Sequence, residues 1–160
     1  MAGARRALVV GAVLGVALLC APVACADGPV EVRTRLNGFC LDIQIWPHFS
    51  SPDDYDVVIN PCNGRNTEQW IFNPAGQMES VGLPGHCLYL SGPQDGASTG
   101  LTTCQNPISP PKRLWTRQPN GQITNALGPC LAVGRGGSTA PNTPVIGFHC
   151  TADTPGQEWV

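Results

Sequence analysis

The sequence predicts an all-β fold, a barrel of short strands built from three similar copies of about 44 residues around a pseudo-threefold axis. Three observations predict it. A unit ending in tryptophan recurs: Cys40, Cys87 and Cys130 lie 47 and 43 residues apart, and Trp70, Trp115 and Trp159 lie 45 and 44 apart. Self-similarity at one period fixes architecture before any single residue is interpreted. Glycine (19) and proline (16) are abundant while only 12% of residues are charged, half the usual share, which is the profile of turn-rich β structure. No stretch of ten or more residues holds a helical period, so helix is confined to short turns.

In chain order, residues 1–26 read as an export signal. Arg5 and Arg6 form a short positive region, 7–19 is apolar but too short to span a bilayer, and Ala24-Cys25-Ala26 fits a small-x-small cleavage site. The expected mature chain is secreted and has no membrane span. Cys25 offers a second reading as the site of a lipid anchor, although Pro22-Val23-Ala24 is a poor lipidation sequence. Without Arg5 and Arg6 the net charge falls from −2 to −4, seven basic against eleven acidic residues. No basic stripe neutralises phosphates, which argues against nucleic-acid binding.

The domain then runs over 30–160, with copies at about 30–76, 77–121 and 122–160. Residues 30–36 alternate apolar and polar, the period of a half-buried strand, and Asn37-Gly38 is a hairpin turn signal. Phe39-Cys40-Leu41-Asp42-Ile43 resumes as a strand and is echoed around Cys87 and Cys130. A second apolar strand precedes each second cysteine: Val57-Val58-Ile59, Gly100-Leu101-Thr102-Thr103 and Val145-Ile146-Gly147-Phe148. A tryptophan strand and a glycine-centred turn complete each copy, giving four strands per copy and twelve in all. The intervening segments 50–56, 93–99 and 134–144 are turn-rich and expected at the surface. One copy cannot bury its own apolar face. Three can share a core of Leu41, Leu88, Leu131, Trp70, Trp115 and Trp159 and close the barrel, with 30–36 beside the last strand.

Six of the eight cysteines lie beyond the leader, and six allow 15 connectivities. The repeat selects Cys40–Cys62, Cys87–Cys104 and Cys130–Cys150, one staple per copy, each adding about 3 kcal/mol by loop entropy. With no Cys-x-x-Cys pair and three scattered histidines, no metal or other cofactor is implied.

Cys40-Leu41-Asp42, a second cysteine at Cys62 and a Gln-x-Trp end (Gln157-Glu158-Trp159), echoed in three copies over 30–160, resemble the ricin-type (R-type) lectin β-trefoil. The resemblance implies one shallow sugar pocket per copy. An aspartate after Cys-Leu accepts from sugar hydroxyls, an aromatic two residues before the second cysteine stacks on the ring, and the Gln of Gln-x-Trp adds a polar contact. On that pattern copy one keeps Asp42, with Asn60 at the stacking position and Glu68 at the Gln position. Copy two has Tyr89, Thr102 and Arg113 at these places, and copy three has Ala132, Phe148 and Gln157. Trp46, four residues past Asp42, either supplies the plate that Asn60 lacks or packs over the barrel's open end.

The expected function is a secreted, non-catalytic carbohydrate-binding module taking a glycan of galactose type. Its candidate contacts are Asp42, Trp46, Asn60 and Glu68 in copy one, and Phe148 and Gln157 in copy three. The alternative is a trefoil without sugar binding that contacts a protein partner through 46–49, as in the lectin-like delivery subunits of cytolethal distending toxins. Catalysis is not expected: His48, His86 and His149 sit at different points of the repeat, and no Gly-x-Ser-x-Gly motif is present. Asp53-Asp54-Tyr55-Asp56 lacks the spaced ligands of a calcium loop.

Overall fold

The computed structural model describes residues 28–45, 55–107 and 109–160. The leader, with the Cys25 lipid-anchor reading, and Trp46 lie outside the described residues. Among those described, no helix is long and apolar enough to cross a membrane.

Eleven strands are described: β1 (Val30–Glu31), β2 (Cys40–Ile45), β3 (Tyr55–Asn60), β4 (Gln69–Phe72), β5 (Met78–Ser80), β6 (His86–Leu90), β7 (Ala97–Thr103), β8 (Trp115–Arg117), β9 (Ile123–Asn125), β10 (Cys130–Val133) and β11 (Thr143–Phe148). Every pairing between them is antiparallel. Each copy contributes one hairpin, β2–β3, β6–β7 or β10–β11, and β11 touches both β3 and β7, joining the three hairpins.

The copies are stitched at equivalent seams. Trp115 N–H donates to Gly76 O and Trp159 N–H to Gly121 O, both at 2.8 Å. Gly76 and Gly121 take φ of +77° and +90°, conformations that glycine reaches without Cβ strain. The two ends of the domain are joined as well: Arg33 and Val160 exchange backbone hydrogen bonds at 2.9 and 2.8 Å, and Arg35 N–H donates to Glu158 O. The expected closure of the barrel by 30–36 is therefore present. Only Val30–Glu31 of that stretch is continuous strand, however. Thr34, fully buried, accepts from Leu36 N–H through its hydroxyl and turns the chain after two isolated bridges.

The fourth strand of copy three is likewise reduced to bridges, Gln122 with Glu158 and Thr34 with Trp159, so the described residues hold eleven strands where twelve were expected. The surface segments are also shorter than expected. Tyr55, Ala97 and Thr143 already pair in β3, β7 and β11, because strand pairing satisfies backbone groups that a loop would leave to water.

The core is the expected one. Leu41, Leu88 and Leu131 are fully buried, joined by Trp70, Trp115, Trp159, Met78, Leu90 and Ile123. Each tryptophan uses its polar handle identically: the indole Nε1–H donates to the carbonyl of Leu41 (2.9 Å), Leu88 (2.9 Å) or Leu131 (3.0 Å). The three staples form as the repeat predicts, Cys40–Cys62, Cys87–Cys104 and Cys130–Cys150. Helix is confined to short turns, with a 3₁₀ turn before each tryptophan strand at Asn66–Glu68, Pro110–Arg113 and Pro155–Gln157.

Candidate functional site

Each copy leads from the residue after Cys-Leu, across its hairpin, to the turn after the second cysteine. In copies two and three these positions line a hollow, with Tyr89, Thr102 and Arg113 in one and Ala132, Phe148 and Gln157 in the other. The matching residues of copy one, Asp42 and Asn60, meet through a hydrogen bond from Asn60 Nδ2 to Asp42 Oδ2 at 3.1 Å.

The position two residues before each tryptophan does something other than the sequence suggests. Glu68 is fully buried, and its carboxylate accepts from Asn63 N–H at 3.0 Å and Gly64 N–H at 2.8 Å. Gln157 accepts from Thr151 N–H at 2.8 Å and donates to His149 O at 2.9 Å. Arg113 donates to Asn106 O. In every copy a long polar side chain rises from the 3₁₀ turn and pins the backbone just past the second cysteine. Buried backbone groups need such partners. Glu68 and Gln157, candidate sugar contacts, thus also hold the backbone, and Gln157 at the same time lines the copy-three hollow.

Asp42 sits on β2, 8% exposed, with Oδ1 accepting from Ile43 N–H at 2.8 Å and Oδ2 from Asn60. A carboxylate has about four acceptor positions, so roughly two remain. Asn60 in turn accepts from Asn142 N–H at 2.9 Å through Oδ1, which ties the Asp42–Asn60 pair to the loop before β11.

The copy-three hollow encloses about 330 Å³. Its walls are largely apolar: Leu36, Val133, Ile146, Phe148 and Pro155 surround Ala132. Phe148 is half-buried at the end of β11, its ring tilted 36° against that of His149 with centroids 4.5 Å apart. His149 is clamped in turn by Asp95, whose carboxylate accepts from His149 N–H at 2.6 Å and meets Nδ1 at 2.8 Å. The hydrogen bond from the His149 side chain, reinforced by the one from its backbone, holds the Asp95 carboxyl below its ordinary range. The plate of copy three is thereby braced by a loop of copy two.

Copy two carries two features that the sequence shows only as departures from the family pattern, the ring of Tyr89 and the ammonium of Lys112. The available signal was Tyr89 facing a glycine, Gly100, across the hairpin, with adjacent bases at Lys112 and Arg113. Glu31, Cys40 and Cys62 also come together, but the disulfide consumes both sulfurs and leaves one metal-ligating group.

A family model described as the ricin-type beta-trefoil lectin domain matches residues 28–159. The chain belongs to the ricin-type β-trefoil lectin family. Ricin-type neighbours among solved structures share its fold at low identity. Agglutinin from Abrus precatorius superposes with a TM-score of 0.68 at 18% identity, over 83% of this chain and 47% of that one, so the chain spans about half its length. The Macrolepiota procera ricin B-like lectin, solved in complex with lactose, gives 0.63 at 21%, over 83% and 93%. The designed threefold-symmetric protein ThreeFoil gives 0.65 at 19%, over 83% and 96%. In sequence, an uncharacterized protein of Mycobacterium tuberculosis is 39% identical over 155 residues, 97% of this ricin-type chain and 90% of that protein. Carbohydrate binding is what this lectin fold supports.

Proposed function

We propose that the chain is an exported, non-catalytic module that binds galactose-type saccharides in its surface hollows. The observation that carries this reading is the copy-three hollow, an open apolar concavity with Phe148 in its wall. Such a surface suits the C–H face of a pyranose ring. In copy one, the spare acceptor positions of Asp42 suit vicinal hydroxyls. Export follows from the leader, with its two arginines, apolar run and small-x-small site. The carboxylate pair Asp42 and Glu68 does not suit glycoside hydrolysis, because Glu68 is held by two backbone amides. Galactose-type sugars come first because solved relatives hold them: a bitter gourd protein in complex with alpha-methyl-D-galactoside, and the fungal lectin with lactose.

Calorimetric titration of the oxidised mature chain with galactose and lactose tests the reading. Binding is expected, and Asp42→Ala and Phe148→Ala are each expected to weaken it about tenfold. No binding, or binding indifferent to both substitutions, overturns it. A protein partner is the second reading, favoured by the withdrawal of Glu68 and Gln157 into the fold. A stoichiometric protein recovered with the chain from culture supernatant, together with no sugar binding, selects that one.

A further inference from the structure

The copy-two hollow has the opposite chemistry from the hydroxyl-accepting pattern of its family. We propose that it binds an acidic saccharide, one that carries a carboxylate or a sulfate ester. The hollow encloses about 230 Å³, and the side chains that line it include Tyr89, Thr102, Asn106, Ser109, Lys112 and Arg113. Among the described residues, none that lines it is an acid, in a chain whose overall charge is negative.

Its aromatic plate comes from the opposite strand of the hairpin. Thr102 stands where Phe148 stands in copy three, but Tyr89 occupies the place of Asp42. Tyr89 pairs with Gly100 across β6 and β7, and a methyl group on Gly100 would come within 2.8 Å of the ring. Glycine there is what lets the ring lie flat over the hairpin. The plate of this hollow is therefore built, with a phenol hydroxyl at its edge.

The polar groups around it are rich in donors. Lys112 is half-buried and gives one N–H to Ser91 O at 2.7 Å, at the end of the strand that carries Tyr89. That contact places the ammonium beside the plate and leaves two N–H donors, with no carboxylate paired to it among the described residues. The buried Arg113 guanidinium, bonded to Asn106 O, adds positive charge beneath the hollow while holding its turn. Asn106 Nδ2 donates to Thr102 Oγ1 at 3.2 Å, fixing two further polar groups in the wall. Fixed cations and hydroxyls next to an aromatic plate recognise an anion attached to a ring, because charge-assisted hydrogen bonds are the stronger kind. Hydroxyl recognition by a carboxylate has no counterpart here.

This inference is independent of neutral-sugar binding in copies one and three, and one titration series separates the two. The oxidised mature chain is titrated with glucuronic acid, galactose 6-sulfate, neutral galactose and sodium sulfate, following amide chemical shifts by NMR. The two acidic sugars are expected to shift amides around Tyr89 and Lys112, at least about tenfold more tightly there than galactose or bare sulfate. Lys112→Gln should remove about tenfold of that affinity without moving any galactose response at Phe148. Tyr89→Ala should do the same, and raised salt should weaken acidic-sugar binding. Equal affinity for galactose and galactose 6-sulfate at these amides overturns the proposal, as does an acidic-sugar response unchanged in Lys112→Gln. Bare sulfate binding as tightly as the sulfated sugar also overturns it, because the plate then contributes nothing. Loss of galactose binding in Phe148→Ala with the acidic-sugar response intact supports it.

Discussion

The interior and the rim of this barrel are the same three copies treated in opposite ways. Inside, the copies agree atom for atom: three indoles donate to three leucine carbonyls at 2.9, 2.9 and 3.0 Å. At the rim, the residue after Cys-Leu is a carboxylate in copy one, a phenol in copy two and a methyl in copy three. A shared core couples each copy to the other two, so a change in one is felt by all. A hollow answers only to its own ligand and is free to diverge. The fold holds its symmetry where the copies meet and loses it where they face water.

The largest effects should come from breaking the interior. Trp70→Ala, Trp115→Ala and Trp159→Ala are each expected to cost about 3–5 kcal/mol in denaturant unfolding of the oxidised chain. Three similar values would uphold the equivalence of the copies, while one small value would show a copy that bears less of the core. Next comes Glu68→Ala, which leaves two backbone amides of the 63–64 turn without their acceptor, at about 2–3 kcal/mol. It should unfold the protein more easily yet leave saccharide titrations at Phe148 unchanged. A loss of binding with no loss of stability would return Glu68 to the rim.

The comparison can also be sharpened by making two hollows alike. Ala132→Asp places a carboxylate in the copy-three hollow that holds Phe148. It is expected to tighten galactose by about tenfold in calorimetry. Unchanged affinity would mean that the plate alone sets recognition there.

The smallest effect concerns the clamp between copies. Because the Asp95 carboxyl is held below its ordinary range, the stability it contributes is complete above the usual carboxylate range. It is lost as pH falls through the lowered value. Thermal unfolding of Asp95→Asn against the unsubstituted chain should differ most near neutral pH and converge in acid. A difference that grows in acid would contradict the clamp.

What could be read from the sequence was whatever spacing encodes. Cysteines and tryptophans in phase gave the pairing of the staples, the shared core and the closure of the barrel, because each requires only that equivalent residues occupy equivalent places. Strand ends were less legible, as with Tyr55, Ala97 and Thr143, since pairing within the hairpin for Tyr55, and across copies for Ala97 and Thr143, extends a strand into residues that look like loop. The bonding of the rim residues was the part least visible in the sequence. Glu68 and Gln157 look like ligands to a sugar because they are polar and stand where the family places a contact. Their partners are backbone amides and carbonyls, which no side-chain pattern displays. A clue was present nonetheless: Glu68, Arg113 and Gln157 differ in charge but all are long, so reach is the property the three copies hold in common.

The seam between copies three and one, with Arg33 and Val160 bonded to each other, is formed from the two ends of the domain. It corresponds to the β4–β5 and β8–β9 hairpins, where Trp70 pairs with Ser80 and Trp115 with Asn125 and the backbone runs on through the turns at Gly76 and Gly121. Circular permutants that splice residue 160 to residue 28 through a short linker and open the chain at either glycine turn should therefore refold into the same ring. The order in which the copies are synthesised would then be a matter of gene layout alone.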